Sequence, residues 1–239
     1  IYLYFIFFII SGLFKHNVLP VSHSKNLPFV SVVIAARNEE NNLPELLDDL
    51  INQEYPLNKF EIIIVNDRSS DSTPEILKTA SDNYAFIKTI NINKKSKVMT
   101  PKKNAVNEGI KLSKGEIILA TDADCRMGAL WIASMAYSLM NKNGIIIGYS
   151  EISDIKKSYF EKYQKLDFLA ILIANAGASG WNQYWSGTGQ NLAYYKKDYF
   201  EIGGFDPVKN KISGDDMYLV QSISNIKRGY IHIDPNSFV

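Results

Sequence analysis

Apolar positions along the chain follow two alternating rhythms. Phe29 to Ala36, Phe60 to Val65, Ala85 to Ile90, Glu116 to Ala120 and Gly144 to Tyr149 are short runs with much Val and Ile. Their length and composition predict strands buried on both faces. Between the first two runs, Leu43, Leu46, Leu47, Leu50 and Ile51 recur at helical spacing, with Asn41 and Asn42 as caps and Pro44 in the first turn. Ser72 or Thr73 before Pro74 starts a second helix, and Lys102 to Leu112 and Leu130 to Met140 read as two more. Strands alternating with helices at this spacing predict an α/β fold, a mostly parallel sheet flanked by helices. After residue 150 the rhythm breaks. Tyr159 to Ala176 reads as a long helix with an apolar second half, and Gly177 to Gly189 as a loop rich in Gly, Ser and Trp. Leu192 to Tyr195 is strand-like, Gly203-Gly204 marks a turn, and a last helix runs from about Asp216 to Ile226.

Residues 1–14 are apolar except for Ser11 and Gly12. A full membrane span needs about 20 such residues. Because the chain opens on Ile1, we read this run as part of a longer membrane anchor, against a buried core helix or a signal peptide as alternatives. Lys15, His16 and Lys25 follow with no acid nearby, which places the remainder on the cytoplasmic side of a cell (inner) membrane. Residues 15–27 read as a linker punctuated by Pro20.

Composition removes several function classes. With 239 residues, 46% hydrophobic and 21% charged, the chain is an ordinary globular one. A net charge of +1 gives no electrostatic reason to bind nucleic acid. The one cysteine, Cys125, excludes an internal disulfide and a Cys-based zinc site, and the three histidines are scattered. Beside an acid, Cys125 reads as a small buried residue rather than a reactive thiol.

Ligands of parallel sheets bind beyond the carboxyl ends of the strands. Three such ends carry polar clusters: Ala36-Arg37-Asn38-Glu39-Glu40, Asn66-Asp67-Arg68-Ser69-Ser70-Asp71 and Thr121-Asp122-Ala123-Asp124. Asp122 and Asp124 read either as a hard-oxygen pair for Mg²⁺ or Mn²⁺, or as a helix cap and a solvated acid. Asp67 is suited to a nucleobase N–H, with Asp71 taking the capping role. Glu39 at a helix start is favoured by the helix dipole whatever its use. Lys102 and Lys103 can face a diphosphate or belong to a solvated lysine run. Asp215 and Asp216 precede a helix, where one can be a general base and the other a cap. Trp181, Trp185 and Asn191 fit sugar recognition, while the tryptophans equally fit an interfacial anchor.

Taken together these motifs resemble the family 2 inverting glycosyltransferases, which have the GT-A fold, from about Phe29 to the end. Ala36 to Glu40 is similar to the family's opening nucleotide loop, and Asn66 to Asp71 to its Asp-Asp-Gly-Ser-x-Asp segment. Lys102-x-x-Ala105-x-Asn107-x-Gly109 resembles its lysine and Ala-Leu-Asn helix, and Asp122-Ala123-Asp124 its metal-binding Asp-x-Asp. Ser186 to Ala193 resembles the acceptor-side Gly-x-Asn loop, Gly203-Gly204-Phe205 the Gly-Gly-Phe turn, and Gly214-Asp215-Asp216 the Glu-Asp catalytic segment. Asn66 replaces a usual acid and Asp215 a usual Glu. A Gln-x-x-Arg-Trp motif is absent before Val239, so processivity stays open.

The resemblance implies a GT-A domain over residues 28–239, truncated at both ends, with a nucleotide-sugar half (28–125) and a smaller acceptor half (126–239). It implies inverting transfer from a nucleotide sugar, by default a UDP-sugar, to a glycan or lipid-linked acceptor at a membrane. Donor contacts would come from Ala36, Arg37, Glu39, Asp67, Lys102, Lys103, Asn107 and Asp122. Asp122 and Asp124 would hold Mg²⁺ or Mn²⁺. Trp185, Gly187, Asn191 and Asp215 would meet the acceptor, with Asp216 as catalytic base. The alternatives are a sugar-1-phosphate nucleotidyltransferase, which wants a Gly-rich loop after the first strand, and a non-catalytic nucleotide-sugar-binding relative, which predicts lost acids. A Rossmann dehydrogenase is disfavoured because no Gly-x-Gly-x-x-Gly follows a strand.

Overall fold

The computed structural model describes residues 1–16, 27–152 and 158–239. Most of the linker expected at 15–27 lies outside the described residues. The elements are α1 (Tyr2–Leu13), β1 (Val30–Ala36), α2 (Leu43–Ile51), β2 (Phe60–Asp67), α3 (Thr73–Asn83), β3 (Ile87–Ile92), α4 (Pro101–Leu112) and β4 (Ile117–Ala120). They continue with α5 (Trp131–Lys142), β5 (Ile145–Gly148), α6 (Tyr159–Gly180), β6 (Leu192–Tyr195), α7 (Lys196–Glu201), α8 (Asp215–Ile226) and β7 (Gly229–His232).

The strands form one seven-stranded sheet in the order β3-β2-β1-β4-β6-β5-β7. β1, β2, β3 and β4 are mutually parallel, as are β5 and β7. β6 runs antiparallel to both its neighbours. The sheet is therefore α/β and mostly parallel, as the apolar runs predict. Strand periodicity sorts the core into two layers. Val30, Val32 and Ile34 of β1 pack with Leu43, Leu46 and Leu50 of α2, Leu77 of α3 and Trp131, Ile132, Met135 and Leu139 of α5. On the other face Val33 joins Ile110 of α4, Tyr199 of α7 and Leu219, Val220 and Ile223 of α8. Each such fully buried aliphatic side chain contributes roughly 1.5–3 kcal/mol of transfer free energy.

The apolar stripe of α2 is where the leucines place it, but the expected amide cap is absent: Asn42 makes no side-chain bond to the first turn. Ser72 is the N-cap of α3 and makes no side-chain cap bond; Asp71, one residue earlier, accepts from Thr73 N at 3.1 Å instead. Two short elements, α7 and β7, have no counterpart in the sequence reading. The loop expected from Gly177 instead starts four residues later, because Gly177 to Gly180 complete α6.

The cause is α1. Its Gly12 lies so close to α6 that an added Cβ would stand 1.9 Å from Gly177 O, and a Cβ on Gly180 would stand 2.1 Å from Gly12 O. Glycines that would break a solvated helix are here what lets two helix backbones touch. His16 Nε2 adds a 2.7 Å bond to Ala176 O, and Trp181 Nε1 donates to Phe8 O at 3.1 Å. α1 has 12 residues, and among the described residues no helix is long and apolar enough to cross a membrane.

Candidate active site

β1 ends beside β2, with Ala36 opposite Asn66, and β4 lies on its other flank. The chain thus winds from β1 toward β3 in one direction and returns to β4 in the other, which opens a crevice at the strand ends. A cavity of about 310 Å³ fills it. Ala36, Arg37 and Glu39 after β1, Asp67 at the end of β2, Lys102 and Ala105 on α4, and Asp122 and Asp124 after β4 line it.

Local chemistry ties these loops together. Asn38 and Arg68 both adopt positive φ, each 58°, a conformation that non-glycine residues hold only when neighbours enforce it. The enforcement is visible: Asn38 N donates to Ser69 Oγ at 2.9 Å, and Ser70 N donates to Asn38 Oδ1 at 2.8 Å. Glu39 N donates to Thr73 Oγ1 at 2.8 Å, and Glu40 N to Asp71 Oδ2 at 3.1 Å. The loop after Asp124 is clamped to α2 by Arg126, whose Nε and Nη2 both reach the Asp49 carboxylate, at 2.6 and 2.8 Å. Neither the Asn38–Ser70 lock nor the Arg126–Asp49 fork was singled out in the sequence. Both join residues remote in the chain, and no local pattern in the sequence marks either.

Asp67 is not free. Arg68 Nε and Nη2 hold both its oxygens at 2.8 and 2.9 Å. Asp67 thus reaches the cavity as a paired rather than a bare carboxylate, and the Asp67 contact raises the Arg68 guanidinium above its ordinary value. Lys102 Nζ stands 2.7 Å from Asp122 Oδ1. Crowding by neighbours works against its charge, but Asp122, with Asp215 and Asp216 beyond, holds the ammonium above the usual lysine value. Lys102 is therefore the electrostatic link between the strand-end acids and the acids of α8.

Asp122 is partly buried and Asp124 exposed. Among the described residues no third Asp, Glu, His or Cys joins them to complete a metal cage. Two hard carboxylates at the mouth of a cavity fit a Mg²⁺ or Mn²⁺ ion that takes its remaining ligands from water and phosphate. Cys125 is buried, and that burial, with Asp122 and Asp124 adding to it, pushes its thiol up to about 11. It is the inert residue its position predicts.

Two expected donor residues lie elsewhere. Lys103 is buried, its Nζ beside Lys211 O and Asp215, and does not line the cavity. Asn107 accepts from the Tyr199 hydroxyl at 2.9 Å and borders a separate cavity. On a helix, neighbours point roughly 100° apart, so only one of two adjacent lysines can face the crevice.

The acceptor side is also redrawn. Asn191 is fully buried; its Oδ1 accepts from Trp131 Nε1 at 3.0 Å and its Nδ2 donates to Tyr149 O and Ser237 O at 2.8 and 2.7 Å. Its amide is engaged internally, tying α5 to the segment after β5 and to the residues around Ser237, and it lines neither cavity beside the site. Trp185 keeps 39% exposure but stacks on Phe5 at 6.2 Å and Phe8 at 6.5 Å, so it anchors α1. Gly187 passes Val220 so closely that a Cβ would lie 2.7 Å from it. Asp216 remains partly exposed at the start of α8, accepting from Gly189 N at 3.3 Å. Asp215 is next to it, 3.8 Å from Lys103 Nζ.

The chain is 30% identical to the probable glycosyltransferase YdaM of Bacillus subtilis (strain 168) over 229 residues, 92% of this chain and 54% of that protein. It is 32% identical to a beta-monoglucosyldiacylglycerol synthase of Trichormus variabilis over 140 residues, 58% of this chain and 30% of the relative. It thus spans about half, or less, of the length of these curated relatives. A mannosyltransferase of Pyrobaculum calidifontis, solved with GDP-Man and Mn²⁺, superposes with a TM-score of 0.73 at 20% identity, covering 98% of this chain and 63% of that one. S. aureus TarS with UDP superposes at 0.60 and 16% identity, over 88% and 60%. These structures share the fold, and the profile "Glycosyl transferase family 2" matches residues 31–213. With a matching sheet, strand-end acids in order and a family match over most of its length, the chain belongs to glycosyl transferase family 2.

Proposed function

We propose that this chain transfers a sugar with inversion from a UDP-sugar to the hydroxyl of a glycan or lipid-linked acceptor, with Mg²⁺ or Mn²⁺, at the cytoplasmic face of a membrane. The observation that carries this is the single cavity where Asp67, Lys102, Asp122 and Asp124 meet at the sheet's switch point. Asp67, fixed by Arg68, and Glu39 hold the nucleoside. Asp122 and Asp124 hold the metal, which supplies charge neutralisation to the diphosphate leaving group. Lys102 adds a second cation on the same side. Asp216 takes the proton of the acceptor hydroxyl as that oxygen attacks the anomeric carbon from the face opposite the leaving group. The Gly189 N–H fixes one oxygen of that carboxylate.

An apolar cavity of about 380 Å³, walled by Leu13, Ile147, Leu169, Leu172 and Ile231, opens beside Gly187 and Thr188 in the loop that touches Asp216. Around it, Phe160, Leu166 and Ile171 of α6 and most of α1 face outward. That surface supports an acceptor presented at a lipid interface, with α1 and α6 lying against it. Two of the relatives are named for a glucosylated diacylglycerol and for a poly-beta-1,6-N-acetyl-D-glucosamine, which supports a lipid or glycan acceptor.

Calorimetric titration of UDP and of GDP, each with and without Mn²⁺, tests the donor site. Metal-dependent UDP binding is the expected result. Binding of GDP alone would change the donor base, and binding of neither would overturn the proposal.

A further inference from the structure

The first turn of α4 serves the donor cavity through Lys102, but its neighbour does something else. Lys103 is 1% exposed. Its Nζ donates to Lys211 O at 2.7 Å and lies 3.8 Å from Asp215 Oδ1. Close by, Thr100 N donates to Lys209 O at 3.0 Å. The strand of chain that leads into α8 is thereby tied, at two points, to the start of α4. It then turns through Gly214, at φ 80°, and delivers Asp215 and Asp216 as the first residues of α8. A solubilising surface lysine would have none of this burial. An ammonium withdrawn from water must be matched by carbonyl and carboxylate oxygens, and these two supply that match.

We propose that Lys103 is a positioning residue for sugar transfer. It holds Lys211 and Asp215 in place, and through them sets where the Asp216 carboxylate stands. By balancing the charge of Asp215 it also lets two adjacent carboxylates share one helix start. It touches neither donor nor acceptor. The inference rests on the reading of Asp216 as the base.

The test uses the purified chain, UDP binding by calorimetry with Mn²⁺, and UDP release from UDP-glucose and UDP-N-acetylglucosamine. Lys103→Met is expected to lower kcat about 10²-fold, the scale of a misplaced catalytic group, while donor KM and UDP affinity stay at wild-type values. Lys103→Arg should recover much of the rate. Asp215→Asn should mimic Lys103→Met, and the double variant should be no slower than either, as expected for one coupled unit. Should Lys103→Met not fold, the arginine and asparagine variants carry the same comparison. A Lys103→Met that weakens UDP binding would make Lys103 a donor ligand. Unchanged kcat, or additive losses with Asp215→Asn, would also overturn the role. A wild type that neither binds UDP nor releases it from either sugar removes the parent reading and this one with it, whereas an active wild type with indifferent variants removes this one alone.

Discussion

Lys102 Nζ lies 2.7 Å from Asp122 Oδ1, so the cation proposed for the leaving group is the direct partner of a carboxylate proposed for the metal. Lys102→Met should lower kcat by about 10²–10³, the usual cost of losing one charge-stabilising donor. Lys102→Arg should retain part of the rate. Steady-state UDP release measures both; an unaltered kcat would leave the ammonium as no more than a counter-ion to Asp122.

The two acid sites should separate cleanly. Asp124→Ala is expected to abolish the Mn²⁺-dependent part of UDP binding, whereas Asp216→Asn should bind UDP normally and lose roughly 10²–10⁴ in transfer rate. Calorimetry and turnover on the same samples decide this. Equal damage to binding and rate in Asp216→Asn would count against its role as base.

Asn191 yields a different signature. Asn191→Ala leaves Trp131 Nε1 without its acceptor, takes the amide donor from Ser237 O, and leaves Tyr149 O with only the longer bond from Val239 N. A buried group left unpaired costs about 1–3 kcal/mol, so denaturant unfolding should show a clear loss. UDP affinity in the folded fraction should be unchanged. A stable variant with weakened acceptor use would restore the recognition role suggested by residue type.

Glu61, 2% exposed, accepts from Ser31 Oγ at 2.7 Å and from Lys114 N at 2.5 Å, and pairs with Lys88. Burial alone would raise its carboxyl; the bonds from Lys88, Lys114 and Ser31 outweigh that and hold it below the ordinary value of 4.5. A depressed carboxyl stabilises the fold above its unfolded value and loses that contribution as pH falls through the folded one. Glu61→Gln should therefore melt at lower temperature than wild type at neutral pH, with the gap narrowing below about pH 4.5. A gap independent of pH would refute the charge-based account.

Periodicity made most of the parallel half readable, because strands buried on both faces leave unbroken apolar runs and α2 leaves a leucine stripe. The reversed direction of β6 was not readable: a four-residue strand looks the same in either sense. The sequence reading missed α7 and β7, whose short lengths carry little periodic signal. Among site residues, Asp67, Asp122 and Asp124 could be located because they terminate legible strands. The burial of Asn191 was not legible, because an amide in a glycine-rich loop has the chemistry of a sugar ligand, while its partners sit on α5, after β5 and near residue 237. Lys102 and Lys103 are alike in type, and only the rotational phase of α4 divides them.

The contact of Gly12 with Gly177 and Gly180 has a bearing on which solvent this region can tolerate. Packing between two backbones depends on complementary shape and needs no contrast between oil and water. Small residues hold helices together in lipid for that reason, since hydrocarbon tails offer apolar side chains as much as a partner helix does. The α1–α6 pair can therefore remain one rigid unit when its surroundings change from aqueous to acyl. An alanine at any of the three positions should part the helices in both media alike.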